Sequence, residues 1–491
     1  MRTLRRIALG LVLILVLLVA VVLVRTLTFK APAAADLASV KVAPPIAVDV
    51  AAAAQHLSQA IQIQTVSHQD RAEDQPAEWT RLHDFLSSAY PAAHAAMTRE
   101  IAGANTLIYT WKGSDSSLAP VILMAHQDVV PVTAGTEKDW KHPPFAGEIA
   151  DGAVWGRGSI DDKGSLITLF EGIEVLAKQG FKPRRTVMIV SGEDEETRGT
   201  GAQAAAALLK SRGIKAQFVV DEGLVVISES PVGGGPLALI GTAEKGYATL
   251  VVTAKAPGGH SSAPPPNGGG VVILARAIAA IANHAFPMEF RGPGADTLQA
   301  IAPRAGFGVR MAVANAWLFK PILIRQIAAN PAGAALLHTT IAPTMLKGSP
   351  KENVLPQDAT AWINYRIAPG DTSGRVMEKA RAAVGSLPVA LSWGETRVEP
   401  SPVSSTTSDG WKVVAAVAGK TTGAPVAPSL VTAGTDSRYL APVAADTYRF
   451  QPMTFSTGDI GMIHGTNEHL TLKNLEQSVQ FYARLVATAA G

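Results

Sequence analysis

The sequence contains no cysteine, which excludes disulfide bonds and thiol catalysis. It is also poor in charge, because only 17% of its 491 residues are charged while 47% are hydrophobic. Five basic residues and no acid lie in the first 30 positions, and the remainder carries 38 basic against 40 acidic residues, a net charge of −2. This charge balance gives no indication of nucleic-acid binding, which favours an excess of basic residues. The composition is that of a globular chain with large buried surfaces, not of a disordered one.

Two catalytic signatures and an internal repeat are also missing. No Gly-x-Ser-x-Gly stretch occurs, which argues against a serine hydrolase. The stretch "GKTT" at 419–422 resembles the end of a phosphate-binding loop, but Val414 stands where that loop needs its first glycine. A nucleotide-binding function is therefore disfavoured.

The N-terminus carries an unbroken apolar run of 18 residues, at 7–24, behind Arg2, Arg5 and Arg6. The run is long enough for a membrane helix, and the arginines favour a cytoplasmic N-terminus with the body of the chain outside. We expect residues 1–30 to be an uncleaved transmembrane anchor. A cleaved signal peptide and a secreted protein are the alternative, because small residues in "APAAAD" follow the run.

The length of the chain predicts at least two domains. Three short apolar runs, at 121–125, 186–190 and 217–220, look like buried parallel strands. Apolar residues at helical spacing lie between the first two runs. This alternation predicts an α/β fold with a mostly parallel central sheet.

Changes in this pattern predict the domain boundaries. An Ala/Pro linker at 31–49 precedes a first catalytic part at 50–245. After residue 245 the sequence alternates like half-exposed strands and includes a Gly/Pro loop, which predicts a smaller α+β domain at 246–398. The chain then returns to the catalytic domain for 399–491.

Each of the three predicted strands leads into polar residues. The first leads to His126 and Asp128, the second to the acidic run 193–196, and the third to Asp221 and Glu222. For the acidic run alone, a loop open to water is the simpler explanation. Because the carboxyl ends of parallel strands share one edge of a sheet, the three together indicate a cluster of imidazole and carboxylate groups. Such a cluster is typical of a site for zinc or a similar divalent metal.

Two further motifs carry candidate ligands. In "GRGSIDDKG" (156–164), Asp161 and Asp162 are adjacent where a helix should begin, and N-capping explains only one of them. In "MIHGTNEHL", His464 follows an apolar segment, and in isolation a surface histidine explains it equally well.

Taken in order, the motifs resemble the dinuclear-zinc exopeptidases and amidohydrolases, which include carboxypeptidase S, aminoacylase-1, succinyl-diaminopimelate desuccinylase and the glutamate carboxypeptidases. The matching stretches are His126-x-Asp128, "GRGSIDDKG", "DEE" at 194–196, "DEG" at 221–223, "GGH" ending at His260 and "HGTNE" from His464. The stretches "EETRGTGAQ", "GHSSAPP", "NAWLFKP" and "GTDSRYL" are most similar to the carboxypeptidase S branch, which includes N-fatty-acyl-amino-acid synthase/hydrolases. The resemblance covers residue 50 to the end. It implies a zinc-exopeptidase catalytic domain with an inserted ferredoxin-like lid and dimerisation domain.

The resemblance also implies two zinc ions, or similar divalent metals, per subunit. Asp161 would bridge them, with His126 and Asp221 on one metal and Glu196 and His464 on the other. Glu222 is the alternative to Asp221, because relatives use either acid of this pair. The Asp161–Asp162 peptide bond would be cis.

Further roles follow from the same resemblance. Glu195 would be the general base, and Asp128 would orient His126 through its second ring nitrogen. His260 would stabilise the oxyanion from the partner subunit, which implies a homodimer. Arg438 would bind a substrate α-carboxylate and Asn353 would add a hydrogen bond. Many relatives have His where this chain has Glu193, a departure that leaves the ligand set complete.

The expected activity is zinc-dependent hydrolysis of the C-terminal peptide bond of small peptides. The alternative is hydrolysis or synthesis of N-acyl amino acids with hydrophobic acyl groups. The apolar stretch 287–345 favours that alternative, although a buried core of the inserted domain explains it equally well. A catalytically dead, membrane-anchored binding protein would be indicated by loss of the base or a ligand, and none is lost.

Overall fold

The computed structural model describes residues 2–31, 37–230, 235–456 and 458–491. Its α-helices are α1 (Arg2–Thr28), α2 (Val50–Ile61), α3 (Pro76–Ala89), α4 (Pro91–Ala96), α5 (Lys163–Lys178), α6 (Thr200–Ser211), α7 (Gly269–Asn283), α8 (Gly292–Ile301), α9 (Phe307–Ala314), α10 (Ala316–Ile327), α11 (Pro331–Ala335), α12 (Ser373–Val384), α13 (Asp409–Thr422), α14 (Ser437–Leu440) and α15 (Leu472–Ala490). Its strands are β1 (Thr98–Ala102), β2 (Thr106–Trp111), β3 (Val121–Met124), β4 (Ile149–Ala150), β5 (Ala153–Trp155), β6 (Val187–Ser191), β7 (Ala216–Asp221), β8 (Val226–Ile227), β9 (Leu237–Glu244), β10 (Gly246–Lys255), β11 (Gly259–His260), β12 (Thr340–Lys347), β13 (Val354–Leu355), β14 (Asp358–Ile367), β15 (Val389–Val398), β16 (Val426–Val431), β17 (Ala444–Arg449), β18 (Thr454–Phe455) and β19 (His469–Thr471).

The larger sheet has ten strands in the order β1-β2-β6-β3-β7-β17-β9-β8-β18, with β16 paired to β9. At its centre β6, β3, β7 and β17 run parallel to one another. The apolar runs of the sequence form β3, β6 and β7, which are adjacent and almost completely buried. Continuous apolar runs are required there because helices cover both faces of the sheet. The predicted α/β core with a mostly parallel centre is confirmed.

Helices on the two faces hold this sheet in place. On one face α5 packs with α2 and α15 in a core that includes Leu166 and Phe170. On the other face α6 contributes Ala202 and Leu209 to a second core. Helix α5 is followed by Gly180, whose φ is 73°. Glycine adopts this left-handed conformation without steric strain, because it has no Cβ atom.

The smaller sheet has four antiparallel strands in the order β12-β14-β10-β15. Buried and half-exposed residues alternate along β10 and β14, because α7 and α12 cover only one face of the sheet. The chain order β10-α7-β12-β14-α12-β15 is that of a ferredoxin-like fold. The chain therefore has the smaller α+β unit that was predicted as an insertion, and it lies between β9 and α13.

Helices α8–α11 interrupt this smaller unit, but their main contacts are elsewhere. Helix α8 lies along β16 and β9 of the larger sheet, and its Ile301 shares a small core with Leu237 and Ala427. Helix α9 contacts α1. Helices α8–α11 are part of the predicted insertion 246–398. Their contacts nevertheless attach them to the larger sheet and to the N-terminal helix.

The connections that lead into the smaller unit and out of it run side by side. One passes from β9 into β10, and the other returns from β15 to the larger sheet. The Glu244 amide donates a hydrogen bond to Ser401 Oγ (2.8 Å), and the Ser401 amide donates one to the Glu244 carbonyl (3.2 Å). A Cβ atom at Gly246 would lie 2.6 Å from the Val398 carbonyl oxygen. Glycine is therefore required where the two connections touch.

The N-terminal segment consists of α1 and a stretch that packs on the body. Helix α1 has 27 residues and is long and apolar enough to cross a membrane. Of the predicted linker 31–49, residues 32–36 lie outside the described residues. The amide of Ala43 donates to Thr488 Oγ1 (3.0 Å) and that of Ile46 donates to Gln480 Oε1 (3.1 Å), both on α15. The folded body thus includes chain that precedes residue 50.

Candidate metal centre

Histidine and carboxylate side chains converge beyond the carboxyl ends of β3, β6 and β7. His126 follows β3, residues 195–196 follow β6, and Asp221 ends β7. Asp161 lies just before α5, and His464 lies in the loop before β19. The parallel order of the three strands brings the first three to one edge. The two loops then add the remaining imidazole and carboxylate.

Asp161 lies between the two histidines, and each of its oxygens faces one of them. Its Oδ1 is 3.0 Å from His126 Nε2, and its Oδ2 is 3.2 Å from His464 Nε2. Glu196 Oε1 is 3.1 Å from the same His464 nitrogen. Ligand atoms of His126, Asp161 and Glu196 all lie within 4.8 Å of one another. One carboxylate thus lies between two imidazoles, as a metal centre requires, and the bridging of two ions by Asp161 stays a prediction. The Asp161–Asp162 peptide bond is cis.

The cluster carries more negative charge than its histidines balance. Burial and repulsion from Asp161 raise the pKa of Glu196 to about 7. Burial, with acidic neighbours added, raises the pKa of Glu195 well above its usual range. Hydrogen bonds to Asp161 and Glu196 raise the pKa of His464 to about 10. These shifts arise because carboxylates are crowded into a buried space, and a divalent cation there would offset their charge. The donor set therefore fits a metal ion, which accounts for acids packed this closely.

The carboxylate of Asp128 connects the loop after β3 with the loop after β6. Its Oδ1 accepts from the Glu195 amide and its Oδ2 accepts from the Glu196 amide, both at 3.1 Å. The same Oδ1 is 3.3 Å from His126 Nδ1, which is also 3.0 Å from the Asp128 carbonyl oxygen. Ser67 Oγ donates to Oδ2 at 2.6 Å. One fully buried carboxylate therefore positions the predicted base, Glu195, and two predicted ligands, His126 and Glu196.

The choice between Asp221 and Glu222 as a ligand stays a prediction. Asp221 is buried, and its Oδ2 accepts from the Ser437 amide at 2.8 Å. Burial raises the pKa of Asp221, and Glu244 is the acid that contributes to this shift. Burial also raises the pKa of Glu222, well above its usual range, and the largest acidic contribution there comes from Asp161. The charge of Asp161 therefore acts on Glu222.

Arg438, predicted to bind the substrate carboxylate, is already paired with a buried acid. Its Nη2 is 2.6 Å from Glu244 Oε2, and its Nε donates to the Thr435 carbonyl at 3.1 Å. Glu244 also accepts from Arg449 Nε at 2.5 Å. The guanidinium occupies the space that a Cβ atom at Gly434 would take, so a larger residue there would displace Arg438. Among the hydrogen bonds of the described residues none uses Arg438 Nη1, and a role for this arginine in substrate binding stays a prediction.

His260 and Asn353 lie in the smaller unit, apart from the cluster. The short strands β11 and β13 pair His260 with Val354, and the Ser261 amide donates to the Asn353 carbonyl at 3.1 Å. His260 is exposed, and its Nδ1 is 2.8 Å from Ser262 Oγ. The two predicted residues are thus neighbours of each other. The contribution of His260 to a partner subunit's site stays a prediction.

The first two acids of the run 193–196 have contacts outside the cluster. The Glu193 carboxylate accepts from the Asn105 amide. Asp194 Oδ1 accepts from the Gly201 amide at 2.9 Å, and its Oδ2 is 2.7 Å from Arg71 Nη2. These contacts fix the loop and the start of α6. The departure from relatives at Glu193 therefore lies outside the predicted ligand set.

A buried ion pair that the sequence analysis missed connects the two loops of the site. Arg157 Nη1 is 2.6 Å from Glu468 Oε2, and both side chains are at most 1% exposed. Glu468 Oε1 accepts from the amides of Ile160 and Asp161 at 2.9 and 3.1 Å. Arg157 Nη2 donates to the His464 carbonyl at 3.3 Å. The pair therefore fixes the backbone at two predicted ligands. The available signal was a charged residue inside each of two glycine-containing motifs.

We expect Glu468→Gln to weaken metal binding by about 10–100-fold, because it removes the charged acceptor behind Asp161 and leaves Arg157 unpaired. The free energy of unfolding should fall by about 3–5 kcal/mol, as for other broken buried pairs. Metal-competition titration and thermal unfolding measure the two effects. Asp151→Asn, which breaks an exposed pair with Lys141, is the matched control and should change neither. Wild-type metal affinity in Glu468→Gln would contradict the positioning role.

Comparison with known proteins gives consistent results for sequence and fold. The sequence profile of Peptidase family M20/M25/M40 matches residues 122–488. The chain is 34% identical over 441 residues to a probable carboxypeptidase S-like protein of Dictyostelium discoideum, covering 88% of this chain and 84% of that one. It is 35% identical over 437 residues to an N-fatty-acyl-amino acid synthase/hydrolase of Xenopus tropicalis, with the same coverages. The structure of an M20 family metallo-carboxypeptidase from Sulfolobus solfataricus superimposes with a TM-score of 0.66 at 16% identity, over 89% of this chain and 99% of that one.

Proposed function

This chain belongs to peptidase family M20/M25/M40, and on that premise we propose that it hydrolyses an amide bond beside a free carboxylate. The substrate is the C-terminal peptide bond of a small peptide or, as the second candidate, an N-acyl amino acid with a hydrophobic acyl group. Relatives named for each activity are equally similar to this chain. The observation that carries the proposal is the convergence of Asp161, Glu196 and two histidines. A dead binding protein would lack a ligand or the base, and every residue predicted for these roles is present in the chain.

The donor set would hold two zinc ions or other divalent metals. When bound, they would polarise the substrate carbonyl and lower the pKa of a water toward about 7. The residues that would hold them are His126, Asp161, Glu196 and His464, together with Asp221 or Glu222.

The chain's own residues supply proton transfer and alignment. The Glu195 carboxylate takes a proton from the attacking water and gives it to the leaving nitrogen. A base that is not itself a ligand is needed for this, and Asp128 holds the Glu195 amide in place at 3.1 Å. Arg438 would bind the free carboxylate through its planar guanidinium, and His260 of a partner subunit would donate to the oxyanion.

A substrate screen tests the proposal on the full-length chain in detergent. It compares blocked dipeptides with N-acyl amino acids of graded chain length, each beside a version whose free carboxylate is amidated. We expect cleavage only with the free carboxylate, loss of activity with a chelator and recovery with zinc. Activity that survives complete metal removal would overturn the metal mechanism. Cleavage of the amidated substrates would overturn the proposed recognition.

A homodimer is part of this proposal, because His260 lies outside the cluster of its own chain. We expect His260→Ala and Glu195→Gln each to lose most of the activity separately and to regain part of it when mixed under conditions that exchange subunits. A mixed dimer has one site with an intact Glu195 and an intact His260 from the partner. Activity of the mixture that equals the sum of the two variants would show that His260 acts within its own chain or not at all.

Helix α1 would act as an uncleaved anchor that leaves the catalytic body outside the cytoplasm. This rests on its length and composition and on the arginines before it. Retention in the membrane fraction after a high-salt wash supports the anchor. A soluble chain that begins near residue 36 contradicts it.

A further inference from the structure

The last turns of α1 are fixed to the folded body. Asn315, fully buried between α9 and α10, donates from Nδ2 to the Val22 carbonyl and to Thr26 Oγ1, both at 3.2 Å. The Arg25 guanidinium donates to the Ala314 carbonyl at 3.1 Å. The orientation of α1 relative to α9 and α10 is therefore set by hydrogen bonds to both its backbone and its side chains.

This contact lies at the end of the apolar run. Its 18 residues (7–24) rise about 27 Å as a helix, slightly less than the hydrocarbon core of a bilayer, about 30 Å. If α1 spans the membrane, the whole run lies within that core. Val22 is two residues from the end of the run and therefore lies near the boundary of the core. The body touches α1 at Val22 itself. The junction of α9 and α10 is thus at the level where the bilayer meets water.

Large apolar side chains are exposed on these two helices. Trp317 is 58% exposed, Ile322 55%, Phe307 48% and Leu318 40%. The stretch 287–345 therefore provides only part of the buried core that its composition suggested. Instead, apolar groups including a tryptophan face outward beside α1. Tryptophan and bulky aliphatic groups in this arrangement are typical of helices that lie in a membrane interface.

The charge of this region points to the same partner. Residues 297–351 contain six Lys or Arg and no Asp or Glu. Lys320 and Arg325 are exposed on α10 itself. Basic groups near a membrane surface are attracted to anionic headgroups, at about 1 kcal/mol each. Apolar side chains next to a purely basic segment therefore match an anionic bilayer in both polarity and charge.

We propose that α9 and α10 form a membrane-contact surface, with Phe307, Trp317, Leu318 and Ile322 inserted at the acyl boundary of an anionic bilayer and Lys320 and Arg325 at its headgroups. The proposal rests on the anchor function of α1 proposed above. The surface would make the body lie on the membrane in one orientation, not swing freely on a tether. A second copy of this chain is the rival occupant of the same surface.

The absence of cysteine permits a direct test with single spin labels on the full-length chain in vesicles of phosphatidylcholine and phosphatidylglycerol. Labels are placed by Trp317→Cys and Ile322→Cys on the surface, by Leu15→Cys in α1, and by Ile149→Cys on the body as a control that is 40% exposed. We expect labels at 15, 317 and 322 to be relaxed by oxygen and protected from a water-soluble nickel chelate. The label at 149 should show the reverse.

The label positions separate the possible failures. If Leu15 is in the bilayer while 317 and 322 behave like 149, the contact surface is wrong and the anchor stands. If Leu15 is exposed to the nickel chelate, the anchor fails and the proposal with it. Spin–spin broadening at 322 that disappears on dilution with unlabelled chain would show that a second copy covers the surface, which also overturns the proposal.

Discussion

Glu195→Gln is expected to lower kcat by roughly 10²–10⁴-fold while the chain keeps its full complement of metal. Glutamine has the same length but no basic carboxylate, so it cannot accept a proton from the attacking water. The amide of residue 195 still donates to Asp128, because that hydrogen bond belongs to the backbone. The measurement pairs steady-state kinetics with metal analysis of the same preparation.

Its neighbours in the acidic run are the controls. Glu196→Gln should release one metal, because a neutral amide is a poor zinc ligand. Asp194→Asn should keep both metals and most of kcat but lower stability, because Asp194 pairs with Arg71. If Glu195→Gln loses metal while Glu196→Gln keeps it, the two assigned roles are reversed.

Asp161→Asn is expected to lose both metals and all measurable turnover. Its two oxygens face different histidines at 3.0 and 3.2 Å, so no other single substitution removes a ligand from both predicted metal sites. The buried cluster also loses the charge that holds His126 and His464 together. Metal analysis after dialysis and thermal unfolding without metal separate loss of metal from loss of fold. One metal retained at full occupancy would contradict the bridging role.

The same metal analysis decides between the two acids at the end of β7. Asp221→Asn and Glu222→Gln are compared under identical dialysis. The variant that loses one metal identifies the ligand, and the other should keep both. Loss of metal in neither variant would exclude both acids as ligands.

Apolar patterning predicted the parts of the fold in which burial is purely hydrophobic. The runs that form β3, β6 and β7, and the alternation along β10 and β14, were all recognised for this reason. Strands β9 and β17 were not predicted, and each of them ends in a charged residue. Glu244 and Arg449 are fully buried in these strands and pair at 2.5 Å. A sequence pattern treats such residues as surface, since only the folded chain supplies the partner that makes their burial tolerable.

In the candidate site, too, some residues could be predicted from the sequence and others could not. Candidate ligands could be inferred because strand ends and motif order place imidazole and carboxylate groups at one edge. The residues that hold them could not, because Glu468 acts on Asp161 from 307 positions away. The engagement of Arg438 with Glu244 was missed for the same reason. Contacts between distant charged residues depend on the packing of whole elements, and a local motif carries no record of them.

The paired connections between the two units determine how the smaller one can move. Two chains tied together at Glu244 and Ser401 form a ribbon, and a ribbon bends about its flat face but resists bending in its plane. The contact of Gly246 with Val398 leaves no room for one connection to slide past the other. Bending of this ribbon would favour one direction for the smaller unit and for His260, and the packing of α8 on β16 and β9 would limit that motion further.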